Sequence, residues 1–392
     1  MTAAFAPDEL VAALMAREPA AAADPATIRV VRAPGRVNLI GEHTDYNAGL
    51  VLPAAIDREI RIASVPTDDG RVTLARLDID ETASFELGLE RPTTGTWIDY
   101  VAGTAWALAE AGLPTVGLRG VIGSTLPENA GLSSSAAIEL AAAWALLGDP
   151  APGVDRLELA RICQRAENGY VGVQSGLMDQ FASSCGVAGT ALLLDCRSTE
   201  WRTVAIPDGL ALVVCNTGSP RRLGSSGYNI RRAQCEEAVA GIRHVDPAVR
   251  TLRDVTPELL AAARPDLDAV VARRAEHVIA ENVRVLATLA AFEADDRAAI
   301  GPIFAAGHAS LRDLFEVSSP ELDALVEIAI AVPGVVAARM TGAGFGGCTV
   351  NLVEADAVPA LADAVLASYP GRIGLTPMVL PVTPVDGAGR LR

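Results

Sequence analysis

Two apolar stretches frame the most polar segment of the N-terminal region. Residues 28–32 have the apolar, β-branched character of a strand, and residues 50–56 are apolar again. Between them, residues 36–47 include Arg36, Asn38, Glu42, His43, Asp45 and Asn47. A plain solvated turn is the alternative, but a turn needs neither a histidine nor an arginine beside two carboxylates. The pattern therefore predicts a loop, held by two buried anchors, that hydrogen-bonds a small polyhydroxyl molecule.

The rest of the chain alternates between strand and helix patterns. Further strands are predicted at 59–65, 72–77, 83–87, 118–124, 191–195, 203–206, 210–216, 335–340 and 349–353. Helices are predicted at 8–17, 97–111, from the serines near 133 to 147, at 155–171, from 176 onward, and at 229–243, 268–292, 300–315 and 320–331. The first strands fit a mixed or antiparallel sheet. Longer helices prevail after about residue 205, which predicts two domains, 1–204 and 205–392.

A second polar stretch, residues 126–137, opens a long apolar helix. Its core is the serine loop, residues 131–135: Gly131, Leu132, Ser133, Ser134 and Ser135. The glycine permits close approach of a ligand, and the first amides of a helix favour an anion. An ordinary serine N-cap is the alternative, but one serine would suffice for a cap. The three serines therefore favour a phosphate-binding loop.

Two carboxylates follow that helix. Glu167 lies near the end of the helix predicted at 155–171, and Asp179 near the start of the next one. Asp179 stands beside Met178 and close to Phe181, so we expect its side chain to be partly buried. Such a carboxylate either accepts hydrogen bonds from local amides or serves a site, and these residues alone favour neither alternative.

Glycines at 342, 344 and 347 match the G-x-G-x-x-G pattern of dinucleotide-binding sites. In those sites the glycines open a helix, whereas residues 349–353 have the pattern of a strand. Dinucleotide binding is therefore excluded. We expect instead a loop whose backbone packs tightly against a ligand or another segment.

Composition and charge exclude several classes of protein. The chain has 392 residues, of which 50% are hydrophobic and 20% charged, as is typical of a globular protein. Its net charge of −16 argues against a nucleic-acid or anionic-membrane surface, because both need clustered positive charge. Neither a basic leader before an apolar core nor an apolar run of about 18 residues is present, so no signal peptide or membrane span is expected.

The chain contains no lysine. A Walker A loop, a protein-kinase site and a pyridoxal phosphate Schiff base each need a lysine, so all three are excluded. The cysteines are scattered, without a C-x-x-C pair: Cys163, Cys185, Cys196, Cys215, Cys235 and Cys348. This spacing is typical of reduced, mostly buried thiols and predicts a cytoplasmic protein.

Three stretches, in this order, resemble the three motifs of the GHMP small-molecule kinases: residues 35–47, 127–137 and 339–348. The first resembles the galactokinase signature in particular, and residues 176–180 and 227–232 are similar to galactokinase segments as well. These matches extend over most of the chain, from residue 29 to residue 353. The departures are small: Ala48 stands where Asp or Gly is more usual, and Ala343 replaces a frequent Gly.

The resemblance implies an α+β fold of two domains, with sugar and ATP meeting in the cleft between them. It implies ATP-dependent phosphorylation of the C1 hydroxyl of D-galactose, a reaction of small molecules without nucleic acid or membrane. Asp179 would be the catalytic carboxylate, and Arg36 would keep it ionised near that hydroxyl. Whether Asp179 accepts the proton or mainly orients the hydroxyl stays open at this stage.

Further roles follow from the same resemblance. Other sugar hydroxyls would be bound by Glu42, His43, Asp45, Gly176 and Tyr228. The phosphates would lie on the serine loop, and Mg²⁺ would be bound by Ser135 and Glu167. Trp97 and Tyr100 would lie near the adenine, although an aromatic pair on a helix is more often part of the core.

Two alternatives remain. One is a related sugar-1-kinase acting on another hexose, for example N-acetylgalactosamine. The other is a galactose sensor without catalytic activity, which would be expected to have a damaged serine loop or to lack Asp179. Both features are intact in this sequence.

Overall fold

The computed structural model describes residues 5–88, 93–127, 130–148, 153–219 and 224–392, with residues 224–226 described by their backbone alone. Within these ranges the strands are β1 (Arg29–Asn38), β2 (Leu50–Val51), β3 (Pro53–Thr67), β4 (Arg71–Arg76), β5 (Glu81–Glu86), β6 (Gly117–Ser124), β7 (Thr190–Asp195), β8 (Trp201–Ala205), β9 (Leu210–Asn216), β10 (Val335–Thr341), β11 (Cys348–Glu354), β12 (Met378–Val382) and β13 (Gly389–Arg390). The helices are α1 (Pro7–Arg17), α2 (Pro19–Ala23), α3 (Ile98–Glu110), α4 (Ser134–Leu146), α5 (Arg156–Arg165), α6 (Met178–Cys185), α7 (Gly224–Ile242), α8 (Pro257–Ala263), α9 (Ala269–Glu293), α10 (Arg297–Asp313), α11 (Pro320–Ile330) and α12 (Val358–Ile373). Helices and sheets of this kind confirm the α+β class.

The first sheet has the order β13-β1-β3-β6-β4-β5. Strands β4 and β6 are parallel, and the other pairs are antiparallel, so the predicted mixed sheet is confirmed. The pairing of β1 with β3 changes register between Pro34 and Arg36. This irregularity lies at the point where β1 meets the candidate site, as β-bulges often do.

Helix α4 packs on this sheet and is buried on nearly all sides. Its residues 136–143 are at most 5% exposed. A helix that is apolar on nearly all sides, as α4 is over residues 136–143 apart from Glu139, belongs in a core, and its many alanines bring the backbones of helix and strand close together. Burial of α4 thereby places its N-terminus, which carries the serine loop, beside the end of β1.

A second sheet has the order β10-β11-β9-β12, and a third has the order β2-β7-β8. Helices α11 and α12 pack on the second sheet through a buried cluster that includes Leu325, Leu361 and Tyr369. The chain then returns to the first sheet, where β13 pairs with β1. The domain boundary predicted at 204/205 falls within β8, and it stays a prediction.

Most predicted elements are confirmed to within a few residues, but the prediction that a loop begins at Arg36 is wrong. Strand β1 continues through Asn38, so Arg36 and Asn38 belong to a strand and the loop itself spans residues 39–49, here called the polar loop. Helices α2, α8 and α12 and strands β2, β12 and β13 were not predicted. Strand β12 contains Pro381, which an edge strand tolerates because its outer amides need no partner.

The six cysteines are free, and five of them are buried, as predicted. Within the described ranges, no helix combines the length and the apolar character that crossing a membrane requires.

Candidate active site

A cavity of about 430 Å³ lies where the end of β1, the serine loop, the start of α6 and the loop after β10 meet. It brings together most of the residues that the sequence analysis selected. Those that line it are Arg36, Glu42, His43, Asp45, Tyr100, Gly131, Ser133, Ser134, Ser135, Glu167, Gly176, Asp179 and Tyr228. The side chain of Leu132 is instead buried in the core, and only its backbone carbonyl meets Arg36.

Arg36 holds the carboxylate of Asp179 with two hydrogen bonds. Its Nε donates to Oδ1 and its Nη2 to Oδ2, both at 2.7 Å. The Ser133 hydroxyl donates to the same carboxylate at 2.6 Å. Bidentate pairing fixes the orientation of the carboxylate as well as its charge. The Asp179 side chain is 23% exposed, so the predicted partial burial is confirmed and the group still reaches the cavity.

Close approach of β1 to the serine loop depends on Gly35. A Cβ atom at this position would lie 2.5 Å from the carbonyl oxygen of Leu132 and 2.5 Å from the side chain of Leu126. With no side chain there, the Arg36 amide donates to the Leu132 carbonyl at 3.1 Å, and Arg36 Nη1 donates to the Gly131 carbonyl at 2.7 Å. The strand and the loop thus orient the arginine from both sides.

Ser133 precedes α4 but does not cap it. Its backbone is left-handed (φ 61°, ψ 46°), and its hydroxyl makes no capping bond. It bonds Asp179 instead, so the ordinary N-cap interpretation does not apply to this serine. The first amides of α4 are therefore left for another acceptor, beside Ser134 and Ser135 in the cavity lining. Residues 128 and 129 of the predicted phosphate motif lie outside the described residues.

Glu167 lies on a π-helical turn, Ala166–Val171, that continues α5. Its carboxylate accepts hydrogen bonds from Ser175 at 2.5 Å and from the Gln180 amide at 2.8 Å, and the Ser135 hydroxyl bonds it as well. Burial raises the pKa of Glu167, while these hydrogen bonds lower it. The two side chains predicted to bind a metal, Ser135 and Glu167, are therefore in direct contact.

The Gln180 side-chain amide also donates to Glu139 at 2.9 Å. Glu139 lies one turn after Ser135 on α4 and is fully buried, which raises the pKa of its carboxyl well above the ordinary value. Its Oε1 atom has no partner among the described residues. One amide thus links two carboxyl groups on the inner side of the cavity.

Asp45 lies on a 3₁₀ turn, Asp45–Asn47, and packs against Gly176. A Cβ atom at 176 would lie 1.9 Å from Asp45 Oδ2, so only glycine fits there. Burial raises the pKa of Asp45 to about 6, and the charge of Asp179 adds to this effect. Backbone hydrogen bonds from Tyr46 and Met178 oppose the shift. The carboxylate is therefore mostly ionised at neutral pH and above, where it can accept a hydrogen bond from a hydroxyl in the cavity.

His43 is held in one orientation. Its Nε2 lies 3.3 Å from the Ala343 carbonyl and its Nδ1 lies 2.9 Å from the Tyr46 hydroxyl. Burial lowers the pKa of His43 to about 3, so the ring is neutral. Since a carbonyl only accepts, Nε2 carries the proton and Nδ1 accepts from Tyr46. Its backbone has a φ of 63°, a conformation that a non-glycine residue adopts only under local constraint.

Tyr228, on α7, closes the aromatic side of the cavity. Its ring centroid lies 5.6 Å from that of His43 and 5.4 Å from that of Tyr46. Burial raises the pKa of Tyr228 well above its ordinary value, and the charges of Asp45 and Asp179 add to this. The hydroxyl therefore stays protonated and can donate a hydrogen bond.

Glu42 lines the cavity but is 1% exposed. Its Oε2 accepts a hydrogen bond from Arg339 Nη2 at 2.7 Å, and the Gly342 amide lies 3.4 Å from Oε1. Burial raises the pKa of Glu42 to about 7, although the charge of Arg339 opposes that shift. The main partner of this carboxylate is thus an arginine at the start of the third motif.

A second cavity, of about 300 Å³, adjoins the first at Ser134 and Ser135. Trp97 and Tyr100 line it, among apolar side chains that include Ile60, Ile122, Leu126 and Ile138. The Trp97 Nε1 donates to Glu81 Oε2 at 3.0 Å. An apolar slot beside a helix N-terminus suits an aromatic ring that is joined to phosphates.

Sequence reasoning missed Arg339, Glu281, Ser175, Gln180 and Glu139. Some signals were available. Arg339 directly precedes the predicted glycine loop, and Gln180 follows Asp179. Glu139 interrupts the apolar run of α4, where an acid is rarely fully buried without a partner.

The assembled groups suit one kind of chemistry. A carboxylate fixed by arginine and serine lies in one cavity with a polar loop, while the amides of a helix N-terminus and two oxygen-bearing side chains, Ser135 and Glu167, lie beside it. Phosphoryl transfer to a hydroxyl requires these parts: a group that orients the hydroxyl, dipoles for the phosphates, and ligands for a metal ion.

Comparison with protein families gives three matches along the chain. The galactokinase galactose-binding signature matches residues 21–66, the GHMP kinase N-terminal domain matches residues 99–187, and the GHMP kinase C-terminal domain matches residues 288–371. The first of these contains the polar loop, and the second contains the serine loop and Asp179.

Among curated relatives, the galactokinase of Roseiflexus sp. (strain RS-1) is 42% identical over 362 residues, which cover 92% of this chain and 93% of the relative. The galactokinase of Chloroflexus aggregans is 43% identical over 370 residues, 92% of each chain. A crystal structure of Lactococcus lactis galactokinase complexed with galactose matches with a TM-score of 0.91 at 35% identity, over 97% of this chain and 100% of that one. Mevalonate kinase of Methanococcus jannaschii matches with a TM-score of 0.63 at 17% identity, over 91% of this chain and 98% of that one, a likeness of fold alone.

Proposed function

This chain belongs to the galactokinase family of the GHMP kinases, and we infer that it transfers the γ-phosphoryl group of ATP to the C1 hydroxyl of D-galactose. The observation that carries this inference is the pairing of Arg36 with Asp179 in the same cavity as the serine loop and the polar loop. Galactose is the substrate that the relatives and their motif indicate, and neither alternative from the sequence is favoured.

We propose that Asp179 orients the C1 hydroxyl and accepts its proton. The two hydrogen bonds from Arg36 and the one from Ser133 hold the carboxylate so that an attacking hydroxyl meets it in a fixed geometry. Positioning of this kind accounts for much of the rate in phosphoryl transfer, where the protein forms no covalent bond to the substrate.

Other roles are proposed from position in the two cavities. The serine loop and the first amides of α4 would bind the phosphates of ATP, because the helix N-terminus favours negative charge. Trp97 and Tyr100 would contact the adenine in the second cavity. Asp45 and Glu42 on the polar loop, together with Tyr228 and the backbone of Gly176, would bind the remaining sugar hydroxyls. His43 would bind one through its Nε2 proton, which lies at the long distance of 3.3 Å from the Ala343 carbonyl.

We propose Mg²⁺ as the metal, bound by Ser135 and Glu167. The fit is chemical: both are hard oxygen ligands, they are already in contact, and Mg²⁺ is usually held by one or two protein ligands together with substrate phosphates. Within the described ranges, no group of three or more His, Cys, Asp or Glu side chains could hold a metal. The ion would neutralise charge on the phosphates, while Ser175 and Gln180 keep the Glu167 carboxylate oriented.

The cytoplasmic location stays a prediction.

The function is tested by ADP release from ATP and Mg²⁺ over a panel of free sugars that includes galactose, glucose and N-acetylgalactosamine. We expect galactose to have the highest kcat/KM. A higher value for N-acetylgalactosamine would favour the related sugar-1-kinase, and galactose binding without ADP release would favour the sensor.

The metal assignment predicts that Glu167→Gln raises the Mg²⁺ concentration needed for half-maximal rate and lowers kcat, with Ser135→Ala acting in the same direction. We expect a shift of at least about tenfold, since even outer partners of metal ligands are worth roughly 10–100-fold in affinity. The measurement is a Mg²⁺ titration at saturating ATP and galactose. A Glu167→Gln titration that overlays the wild-type curve would mean that Glu167 serves only to hold Ser175 and Gln180.

A further inference from the structure

A buried charge cluster lies directly behind the polar loop. It consists of Glu42, Arg339, Glu281 and Arg284, and the first three side chains are at most 1% exposed. Arg339 Nη2 donates to both Glu42 Oε2 and Glu281 Oε1, each at 2.7 Å. A single guanidinium nitrogen therefore bridges a carboxylate of the cavity wall and a carboxylate of helix α9.

Glu281 is the anchor of this cluster. Its Oε1 also accepts a hydrogen bond from the Gly41 amide at 3.0 Å, and its Oε2 accepts one from Arg284 at 2.6 Å. Burial alone would raise the pKa of Glu281, but Arg339 and Arg284 hold it well below the ordinary value. This carboxylate is therefore ionised, and it fixes both the arginine behind Glu42 and the backbone just before it.

Stability alone is a weak reason for such an arrangement. Buried ion pairs lose much of their attraction to desolvation, and well-packed apolar residues often replace them without loss of stability. The hydrogen-bonding groups of Arg339 are not all satisfied, since its Nε and Nη1 have no hydrogen-bond partner in the part of the chain that the structure describes. What the cluster does provide is a fixed position for Gly41 and Glu42, near the start of the polar loop.

We propose that Glu281 and Arg339 are positioning residues for sugar recognition: they set the place of the Glu42 carboxylate in the cavity and the start of the polar loop. This inference rests on the proposed function, because it assumes that Glu42 meets a hydroxyl of galactose. It assigns a role in substrate binding to helix α9, which contributes no residue to the cavity lining.

The test compares Glu281→Gln and Glu281→Asp with a matched control, Glu59→Gln, in the full-length protein. Glu59 is also a buried carboxylate held by two arginines, Arg32 at 2.9 Å and Arg61 at 2.5 Å, but it lines neither cavity. Galactose affinity and the affinity for a non-hydrolysable ATP analogue with Mg²⁺ are measured by calorimetry, and thermal unfolding is measured alongside.

We expect Glu281→Gln to weaken galactose binding by roughly tenfold or more, the loss typical of a buried hydrogen-bonding group that loses its partner. Binding of the ATP analogue to Glu281→Gln should not change. The control Glu59→Gln should leave galactose affinity unchanged, even if this variant unfolds at a lower temperature than wild type. Glu281→Asp keeps the charge but withdraws the carboxylate, so it should weaken galactose binding too. The Glu281→Asp variant also tests the positioning role if Glu281→Gln does not fold.

Three outcomes would contradict either the positioning role or the proposed function, and they can be told apart. If the Glu281 variants bind galactose as tightly as wild type, the positioning role is overturned. If they weaken galactose and the ATP analogue by equal factors, the cluster supports only the fold, and the positioning role is again overturned. If the wild-type protein itself binds no galactose, the proposed function fails before the role of the cluster is reached.

Discussion

Asp179→Asn is expected to lose nearly all turnover while it still binds galactose. General-base assistance and hydroxyl orientation are together worth about 10²–10⁴-fold in rate, and asparagine can neither accept a proton nor carry the charge that pairs with Arg36. The substitution keeps the size of the side chain. It therefore removes the chemistry of the carboxylate with little change in the shape of the cavity.

The chain offers a close control in Asp323→Asn. Asp323 also lies in the first turn of a helix, α11, and its side chain is 24% exposed against 23% for Asp179. It is held by a basic residue and a serine as well: His308 at 3.0 Å and Ser318 at 2.6 Å. We expect this variant to retain wild-type kcat. A purified, folded Asp179→Asn enzyme with near wild-type kcat would contradict the role assigned to Asp179.

Local sequence patterns were sufficient for the motifs but not for the contacts between them. Arg36 and Asp179 are 143 residues apart, and their pairing requires β1, the serine loop and α6 to meet. Hydrophobic periodicity predicts each of these elements separately and contains no information about which ends come together. The resemblance to a known family supplied that pairing.

The boundary of the polar loop shows how tertiary structure overrides a local pattern. Polar side chains at 36 and 38 suggested a loop, yet Val37 is buried and pairs with Ala54 of β3, which extends β1 to Asn38. Strand pairing decided the conformation. Arg36 pairs with Asp179, whereas only the backbone of Asn38 is bonded, to the Thr341 hydroxyl, and its side-chain amide has no hydrogen-bond partner among the described residues. Side-chain polarity alone is thus a poor guide to where a strand ends beside a site.

Glu281 could not be recognised for a different physical reason. It lies on α9, and an acidic residue in a long helix is usually part of a solvent-exposed face. Its main partner, Arg339, follows 58 residues later on β10. Only burial distinguishes it, since its exposure is 0%. His277, four residues earlier on the same helical face, is also fully buried, but its burial too is a property of the fold that the sequence does not show.

The left-handed backbone of Ala48 is explained by the turn that ends the polar loop. Its φ is 57°, a region that glycine and aspartate adopt more readily than alanine. The departure from the usual residue at this position therefore affects the strain of the turn, and Ala48 is not among the residues that line the cavity.

Selectivity among hexoses should depend on Asp45. Its carboxylate is confined between Gly176 and the amides of Tyr46 and Met178, so it cannot follow a hydroxyl that changes position. A sugar epimer would leave this acceptor unpaired, which costs about 1–3 kcal/mol for a buried group. Glucose, the C4 epimer of galactose, should therefore lose at least roughly tenfold in kcat/KM against galactose.

Asp45→Ala should lower kcat/KM strongly for galactose and much less for glucose, and so narrow the gap between the two sugars. The matched control is Asn47→Ala. Asn47 lies on the same 3₁₀ turn, but it donates to the His43 carbonyl at 2.9 Å and does not line the cavity. Loss of that bond loosens the loop as a whole, so both sugars should be affected by the same factor. The measurement is kcat/KM for both sugars on the three enzymes at saturating ATP and Mg²⁺, at alkaline pH, because the pKa of Asp45 is raised to about 6. If Asp45→Ala lowers the two values equally, as Asn47→Ala is expected to do, the carboxylate only supports the loop and the discrimination between epimers arises elsewhere in the cavity.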